Sequence, residues 1–246
     1  MILRILNKNS FTQKFLQPIS RINDLCSLIV EDGKIYNLNR TSDNNFSLYA
    51  VCTEVETIDF QQKTTLSFSD IKKFIKVFDC IPENSIDLII HSNYVEYKSN
   101  GTRFKFHLIN DNIVRSPNYS IDKINSLQFN TGFMLSSSSL NTLIKSSTFI
   151  TDSNKIYLST DQGVVIAELN DKSKQNIDTF STKISDGYSG EEIIKPLGFK
   201  FDLFRTVSAS KCNEILVNIN TNIGFIAIDV NEDKYRLKYT ATEYSI

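Results

Sequence analysis

Residues 69–82 read SDIKKFIKVFDCIP, and their spacing is the key to the fold. At about 100° per residue, Ile71, Phe74, Ile75 and Phe78 fill one apolar arc of a helix. Lys72, Lys73 and Lys76 fall in a separate arc of roughly 100°. Ser69 is placed to cap the N-terminus and Pro82 to mark the end. Such a helix has one side for a core and one side for cations. The cationic side reads either as a solvated face or as a face that meets anions, and the helix alone does not choose.

Working outward, period-2 alternation and turn punctuation give many short strands and few helices. Hairpin turns are predicted at Asp32-Gly33, Ser92-Asn93, Asn100-Gly101, Asp161-Gln162-Gly163 and Asn231-Glu232-Asp233. Helical periodicity occurs at three further places. Ser10 to Ile22 carries Phe11, Phe15, Ile19 and Ile22, with Ser10 and Gln13 spaced as a capping box and Pro18 expected to kink or shorten the helix. Ser137 to Phe149 carries Leu140, Leu143 and Ile144, and Phe201 to Ala209 is a shorter segment.

The order of these elements repeats. MILRIL leads to a helix, then to SLIVEDGKIYNL and further strands, then to TLSFSDIKKFIKVF and a hairpin. LQFNTGFMLS leads to SSSLNTLIKSSTFI, then to NKIYLSTDQGVVIAEL and further strands, then to FKFDLFRTV and another hairpin. The closing strands agree in detail. TRFKFHL alternates Arg103, Lys105 and His107 with Phe104, Phe106 and Leu108, and KYRLKYT alternates Lys234, Arg236 and Lys238 with Tyr235, Leu237 and Tyr239. Each strand has one wet basic face and one dry face. The reading is an α+β protein made of two tandem copies of a unit with a β-sheet and two helices. The expected boundaries are 1–110 for the first domain, 111–126 for a polar connector with Pro117, and 127–246 for the second domain.

The chain has 246 residues, 41% hydrophobic and 22% charged, with a net charge of −1, so no global basic field is present. Any surface for nucleic acid must be local. The opening MILRILNKNS turns polar too early for a signal peptide, and no stretch reaches membrane-spanning length, which leads us to expect a soluble cytoplasmic protein. Cys26, Cys52, Cys80 and Cys212 form no CxxC pair and lie in or beside apolar runs, as buried free thiols in a reducing compartment would, with a disulfide pair as the alternative.

No catalytic constellation is legible. His91 and His107 fall in predicted strands, GYSG at 187–190 lacks the nucleophile-elbow spacing and reads as a loop, and the serines at 136–139 read as a helix start. Metal-ligand spacings and phosphate-cradling glycine loops are missing, so the sequence calls for no metal, no cofactor and no enzymatic activity.

The element order and its duplication resemble the DNA polymerase sliding clamps, whose two-domain members are proliferating cell nuclear antigen (PCNA) and the clamps of large tailed phages of the T-even type. MILRILNKNSFTQKFLQPISRI is similar to the clamp's first strand and helix, with Lys14 where members often carry a lysine. SDNNFSLYAV resembles the clamp pattern of a turn followed by Val-Ser-Leu, with Phe46 in place of the Val and Ser47 and Leu48 matching. Lys73 and Lys76 around Phe74-Ile75 are spaced like the second clamp helix. Pro18, the sparse fourth helix and the connector depart from the pattern.

The resemblance implies a homotrimer of two-domain subunits closing a ring, with helices lining the hole and sheets outside. Lys14, Arg21, Lys72, Lys73, Lys76, Lys145 and Arg205 would then lie near duplex DNA, bound without regard to sequence, because phosphate contacts carry no base information. Lys8, Lys200 and Lys211 belong to the same wider set, with a merely solvated role equally open, and acids such as Glu31, Glu54, Glu56, Glu191 and Glu192 would sit outside the hole. Edge strands Arg103 to Ile109 and Asn176 to Ile184 would pair between subunits. Partner peptides would meet Phe46, Leu48, Val114, Tyr119, Ile121 and Tyr244. The implied partners are a replicative polymerase and a clamp-loader ATPase, and the phage branch adds a co-activator role in late transcription. The alternatives are a monomeric DNA-binding processivity factor of the same fold, a nuclease or other enzyme, and a structural β-rich phage protein.

Overall fold

The computed structural model describes all residues except 100, 115–119, 151–152, 175–177, 211, 213 and 245–246. Tyr119, Lys211, Asn100 of one predicted turn and part of the 176–184 strand therefore lie outside the described residues. The chain divides into two compact units, Met1–Ile121 with Glu232–Leu237, and Asp122–Asn231 with Lys238–Ile246.

The first unit holds β1 (Ile2–Ile5), β2 (Cys26–Glu31), β3 (Lys34–Arg40), β4 (Phe46–Cys52), β5 (Val55–Ile58), β6 (Thr64–Phe68), β7 (Ile86–Ile90), β8 (Tyr94–Ser99) and β9 (Thr102–His107). They form the runs β5-β1-β7-β8-β9 and β4-β3-β2-β6, with antiparallel pairs such as Tyr94↔His107 and Cys26↔Phe68. Its helices are α1 (Lys8–Ser10), a π-helical stretch Phe11–Leu16, α2 (Gln17–Ile22) and α3 (Ile71–Asp79).

The first helix corrects two expectations. Asn7, and not Ser10, caps it, accepting from the Ser10 N–H at 3.0 Å. Pro18 does not shorten it. The Gln17 N–H reaches back five residues to the Thr12 carbonyl, so a π turn precedes the proline and the chain continues to Ile22. A proline ring clashes with the carbonyl four residues back in a regular α-helix, and a widened turn relaxes that clash. At α3 the cap is Asp70 and not Ser69, because the Asp70 carboxylate accepts from the Lys73 N–H at 2.9 Å.

Helices and strands share an aromatic core. The Phe74 ring lies 4.7 Å from Phe68, 5.0 Å from Phe78 and 5.2 Å from Phe106, and Phe11 reaches Phe78 at 6.1 Å. Beyond β9, the Ile109 N–H donates to the Ser67 carbonyl at 3.0 Å and the Ser67 hydroxyl donates to Asp111 at 2.7 Å. These bonds fix the 3-10 turn Asp111–Ile113 against β6.

The chain passes between the units at α4 (Ile121–Asn125). The second unit holds β10 (Thr131–Ser136), α5 (Ser137–Ser146), β11 (Lys155–Asp161), β12 (Val164–Leu169), β13 (Phe180–Ser185), β14 (Ser189–Gly190), β15 (Leu197–Lys200), α6 (Phe201–Ser208), β16 (Glu214–Asn220), β17 (Phe225–Glu232) and β18 (Tyr235–Thr242). The tip of the β17–β18 hairpin is grouped with the first unit. Its runs are β14-β10-β16-β17-β18 and β13-β12-β11-β15. Adding nine to every strand number of the first unit reproduces this order, and α5 and α6 follow β10 and β15 as α1–α2 and α3 follow β1 and β6.

Local departures have local causes. α5 ends at Ser146 and not Phe149, because Ser147 and Thr148 turn their hydroxyls back onto the carbonyls of Ile144 and Lys145. GYSG is not wholly a loop, since Ser189–Gly190 pairs with β10. Gly190 has φ +88°, and a Cβ there would sit 1.9 Å from the Asn130 carbonyl oxygen. His91 lies just outside β7, while His107 ends β9. The predicted turn at 231–233 shifts, with Asp233 at φ +39° between β17 and β18. Among the described residues no disulfide joins the four cysteines; Cys26, Cys52 and Cys212 are buried as expected, whereas Cys80, beyond the last turn of α3, is exposed.

Candidate nucleic-acid interface

In each unit two helices pack side by side against strands. In the first, α3 lies beside α2 and the π-helical stretch; in the second, α5 lies beside α6. Burial of Ile71, Phe74 and Phe78 orients α3 and leaves Lys72, Lys73 and Lys76 exposed on its other side. Phe15, Leu16, Ile19 and Ile22 do the same for the first helix and leave Arg21 in solvent.

The seven sequence-predicted cations fall into two groups. Lys14 is 2.5 Å from Glu232, Lys72 is 3.0 Å from Asp24, and Arg205 is 2.9 Å from Asp202 and 3.2 Å from the Asn154 side-chain oxygen. The Arg205 guanidinium also lies 4.8 Å from the centre of the Phe201 ring. By contrast, the exposed side chains of Arg21, Lys73, Lys76 and Lys145 have no ion-pair or hydrogen-bond partner among the described residues. Cations without a counter-charge on a rigid helix can meet phosphates with nothing to displace but water and salt. Lys8, of the wider set, is turned back onto the Ile81 carbonyl.

The sequence-predicted partner residues are dispersed in environment. Phe46 and Leu48 are buried in β4, Val114 and Ile121 are half-buried, and Tyr244 is exposed. In the second unit the Tyr244 N–H donates to the Gly198 carbonyl at 2.8 Å, and its ring lies 4.8 Å from the Lys155 ammonium and 5.6 Å from that of Lys200. Gly198 is needed here, since a Cβ would stand 2.9 Å from the Tyr157 ring. Lys155 also pairs at 2.6 Å with Asp171, and that ammonium with the Ser173 hydroxyl lowers the Asp171 carboxyl to about 2. Sequence reading missed this cluster; its only signal was the alternation of Lys155 and Tyr157 across Ile156.

Two further facts concern the sheet margins. β9 and β13, each of six residues, pair on one side only, β9 with β8 and β13 with β12. On β8, opposite Lys105, the buried Glu96 accepts from Arg103 at 2.5 Å and lies 3.2 Å from the His91 ring nitrogen. Among the described residues there is no group of three His, Cys, Asp or Glu side chains suited to a metal ion, and no helix long and apolar enough to cross a membrane.

Comparison with known proteins gives the fold. Over 99% of its length the chain superposes on PCNA from Thermococcus kodakaraensis, with TM-score 0.79, 13% identity and 100% of that chain covered. The fold is that of PCNA. A. fulgidus PCNA, in a structure with the C-terminal region of FEN-1 bound, matches with TM-score 0.79 and 12% identity over 100% of this chain and 99% of that one. The PCNA2–PCNA3 complex from Sulfolobus tokodaii matches with TM-score 0.76 and 11% identity, covering 99% of each chain. No protein-family model matches the sequence, and no curated protein matches it either. The PCNA fold is thus carried by a sequence in which few individual positions agree.

Proposed function

We propose that this chain is a sliding clamp, a ring-closing processivity factor that encircles duplex DNA without reading its sequence and has no chemistry of its own. The observation that carries the proposal is the end-to-end match to PCNA, which leaves no part of either chain unaccounted for beyond 1%. The unpaired cations Arg21, Lys73, Lys76 and Lys145 support it, because a sliding protein needs mobile phosphate neighbours and no base contacts. β9 and β13 support assembly between copies of the chain, which the PCNA likeness extends to a closed homotrimer. They are the longest one-sided strands, and exposed edges of that length are normally covered. The FEN-1 segment on A. fulgidus PCNA and the PCNA2–PCNA3 complex support, by analogy, peptide partners and assembly between clamp chains.

The finer reading is that the ring tethers a replicative polymerase, is opened by a clamp-loader ATPase, and belongs to the tailed-phage branch with its role in late transcription. In that reading the domains run 1–110 and 127–246 about a connector at 111–126. The partner groove takes in Val114, Tyr119, Ile121 and Tyr244, backed by Phe46 and Leu48. Retention after loading tests the proposal. A closed ring stays on circular DNA and leaves a linearised template by sliding off the end. Equal loss from both templates, or a concentration-independent monomer mass at micromolar protein, refutes the ring and favours a monomeric factor that grips DNA.

A further inference from the structure

The two helix pairs differ in charge far more than their matched topology requires. In the first unit, the segment Lys8–Ile22 carries Lys8, Lys14 and Arg21 with no acid, and α3 carries three lysines against Asp79. In the second unit, α5 carries Lys145 alone, and α6 carries Arg205 against Asp202. The paired helices of the first unit thus hold six cations and one acid; the paired helices α5 and α6 of the second hold two and one.

Ion pairing keeps the contrast. Three cations of the first unit, Arg21, Lys73 and Lys76, have no partner among the described residues, against Lys145 in the second. Around Lys145, the exposed face of α5 is Ser138, Asn141 and Thr142. The Thr142 hydroxyl donates to the Ser138 carbonyl at 3.0 Å and the Ser146 hydroxyl to the Thr142 carbonyl at 2.8 Å, so these groups are turned onto their own helix.

We infer that the first unit's helices supply most of the phosphate contact of this chain and the paired helices of the second unit supply little of it. The occupant is the phosphate backbone of double-stranded DNA, by charge complementarity with exposed cations that have no counter-charge among the described residues. The inference rests on the sliding-clamp reading and refines it: the duplex would be held by alternate segments of the ring, and not evenly by all of its helices.

The test compares two variants of the full chain, Arg21→Gln/Lys73→Gln/Lys76→Gln and Lys145→Gln/Arg205→Gln. Binding of a labelled duplex is measured between about 50 and 200 mM salt. The unit-one variant should lose about tenfold or more in affinity at low salt. Its salt slope should flatten by roughly 0.9 for each phosphate contact removed, up to about 2.7. The unit-two variant should lose no more than about twofold, with a slope change under about 1. Circular dichroism and solution mass should be unchanged in both.

Equal losses from the two variants overturn the inference, as does wild-type protein without salt-sensitive affinity for the duplex. Polyglutamate is the competitor for a second occupant. If it displaces the duplex and binds the wild type more tightly than DNA does, the cations serve an acidic protein segment and the inference falls. Retention on circular DNA separates this from the clamp reading. Retention with equal losses removes only the inference, whereas unequal losses without retention remove the ring and keep the charge asymmetry.

Discussion

Replacing Phe74 by alanine tests whether α3 is seated as described, and with it the direction in which Lys73 and Lys76 point. Phe74 is 2% exposed and touches three other rings, from β6, β9 and its own helix. Losing its side chain forfeits about 2–3 kcal/mol of transfer free energy. A cavity walled by rings on two strands and a helix collapses poorly, which raises the expected loss to about 3–5 kcal/mol. With a urea slope of about 1–3 kcal/mol/M, the midpoint should fall by at least roughly 1 M at fixed protein concentration. A chain of two units need not unfold in one transition, so hydrogen exchange supplies the local readout. Amides of β6, α3 and β9 should lose protection while β11 and β12 keep theirs. Phe74→Leu should recover part of the loss. A change below about 1 kcal/mol at β6, α3 and β9 would refute the packing argument and the placement of the lysine face built on it.

Three further outcomes are expected. Lys14→Glu should destabilise the first unit modestly, by about 1 kcal/mol, because it sets a second carboxylate beside Glu232, whereas Lys76→Glu should leave stability within about 0.5 kcal/mol; thermal melts compare the two. The Lys34 ammonium and the Tyr36 hydroxyl lower the Glu31 carboxyl to about 2. A carboxyl lowered on folding stabilises the protein above its usual value near ~4.3 and loses that contribution as pH falls toward 2. Glu31→Gln should therefore be less stable than wild type at neutral pH, with the gap closing below about pH 4. Cys80 is exposed while burial pushes the Cys26 and Cys52 thiols up to about 12, so a thiol reagent should modify Cys80 first, and Cys80→Ser should abolish the fast phase.

What was legible in the sequence is what periodicity encodes. The apolar arc of Ile71, Phe74 and Phe78 places α3 on the core, and the alternation in Thr102–His107 gives β9 its dry and wet faces. Capping was half legible. Ser69 and Asp70 are both competent caps, and the choice depends on which residue reaches the Lys73 N–H. The π turn before Pro18 was not legible, since it trades one hydrogen-bond pattern for another with no change in which residues are apolar. Phe46, Ser47 and Leu48 are all buried, so β4 lacks there the alternation that would reveal which side chain faces a groove.

Counter-charge was the least legible property, and it bears most directly on function. Asp202 lies three residues from Arg205, so that pair is visible in the sequence, but Asp24 pairs with Lys72 across 48 positions. Lys14 and Glu232 meet although one lies in the π-helical stretch Phe11–Leu16 and the other at the end of β17. A helical wheel therefore sees an arc of lysines in which Lys72, Lys73 and Lys76 are equivalent, and the folded chain makes them unequal. Sliding on a phosphate backbone needs weak, replaceable contacts. A lysine already holding a carboxylate must give up that partner to make such a contact, and an unpaired one need not. Arg21, Lys73, Lys76 and Lys145 meet that condition, so under the proposed function the pairing pattern, more than the number of cations, selects the residues to test.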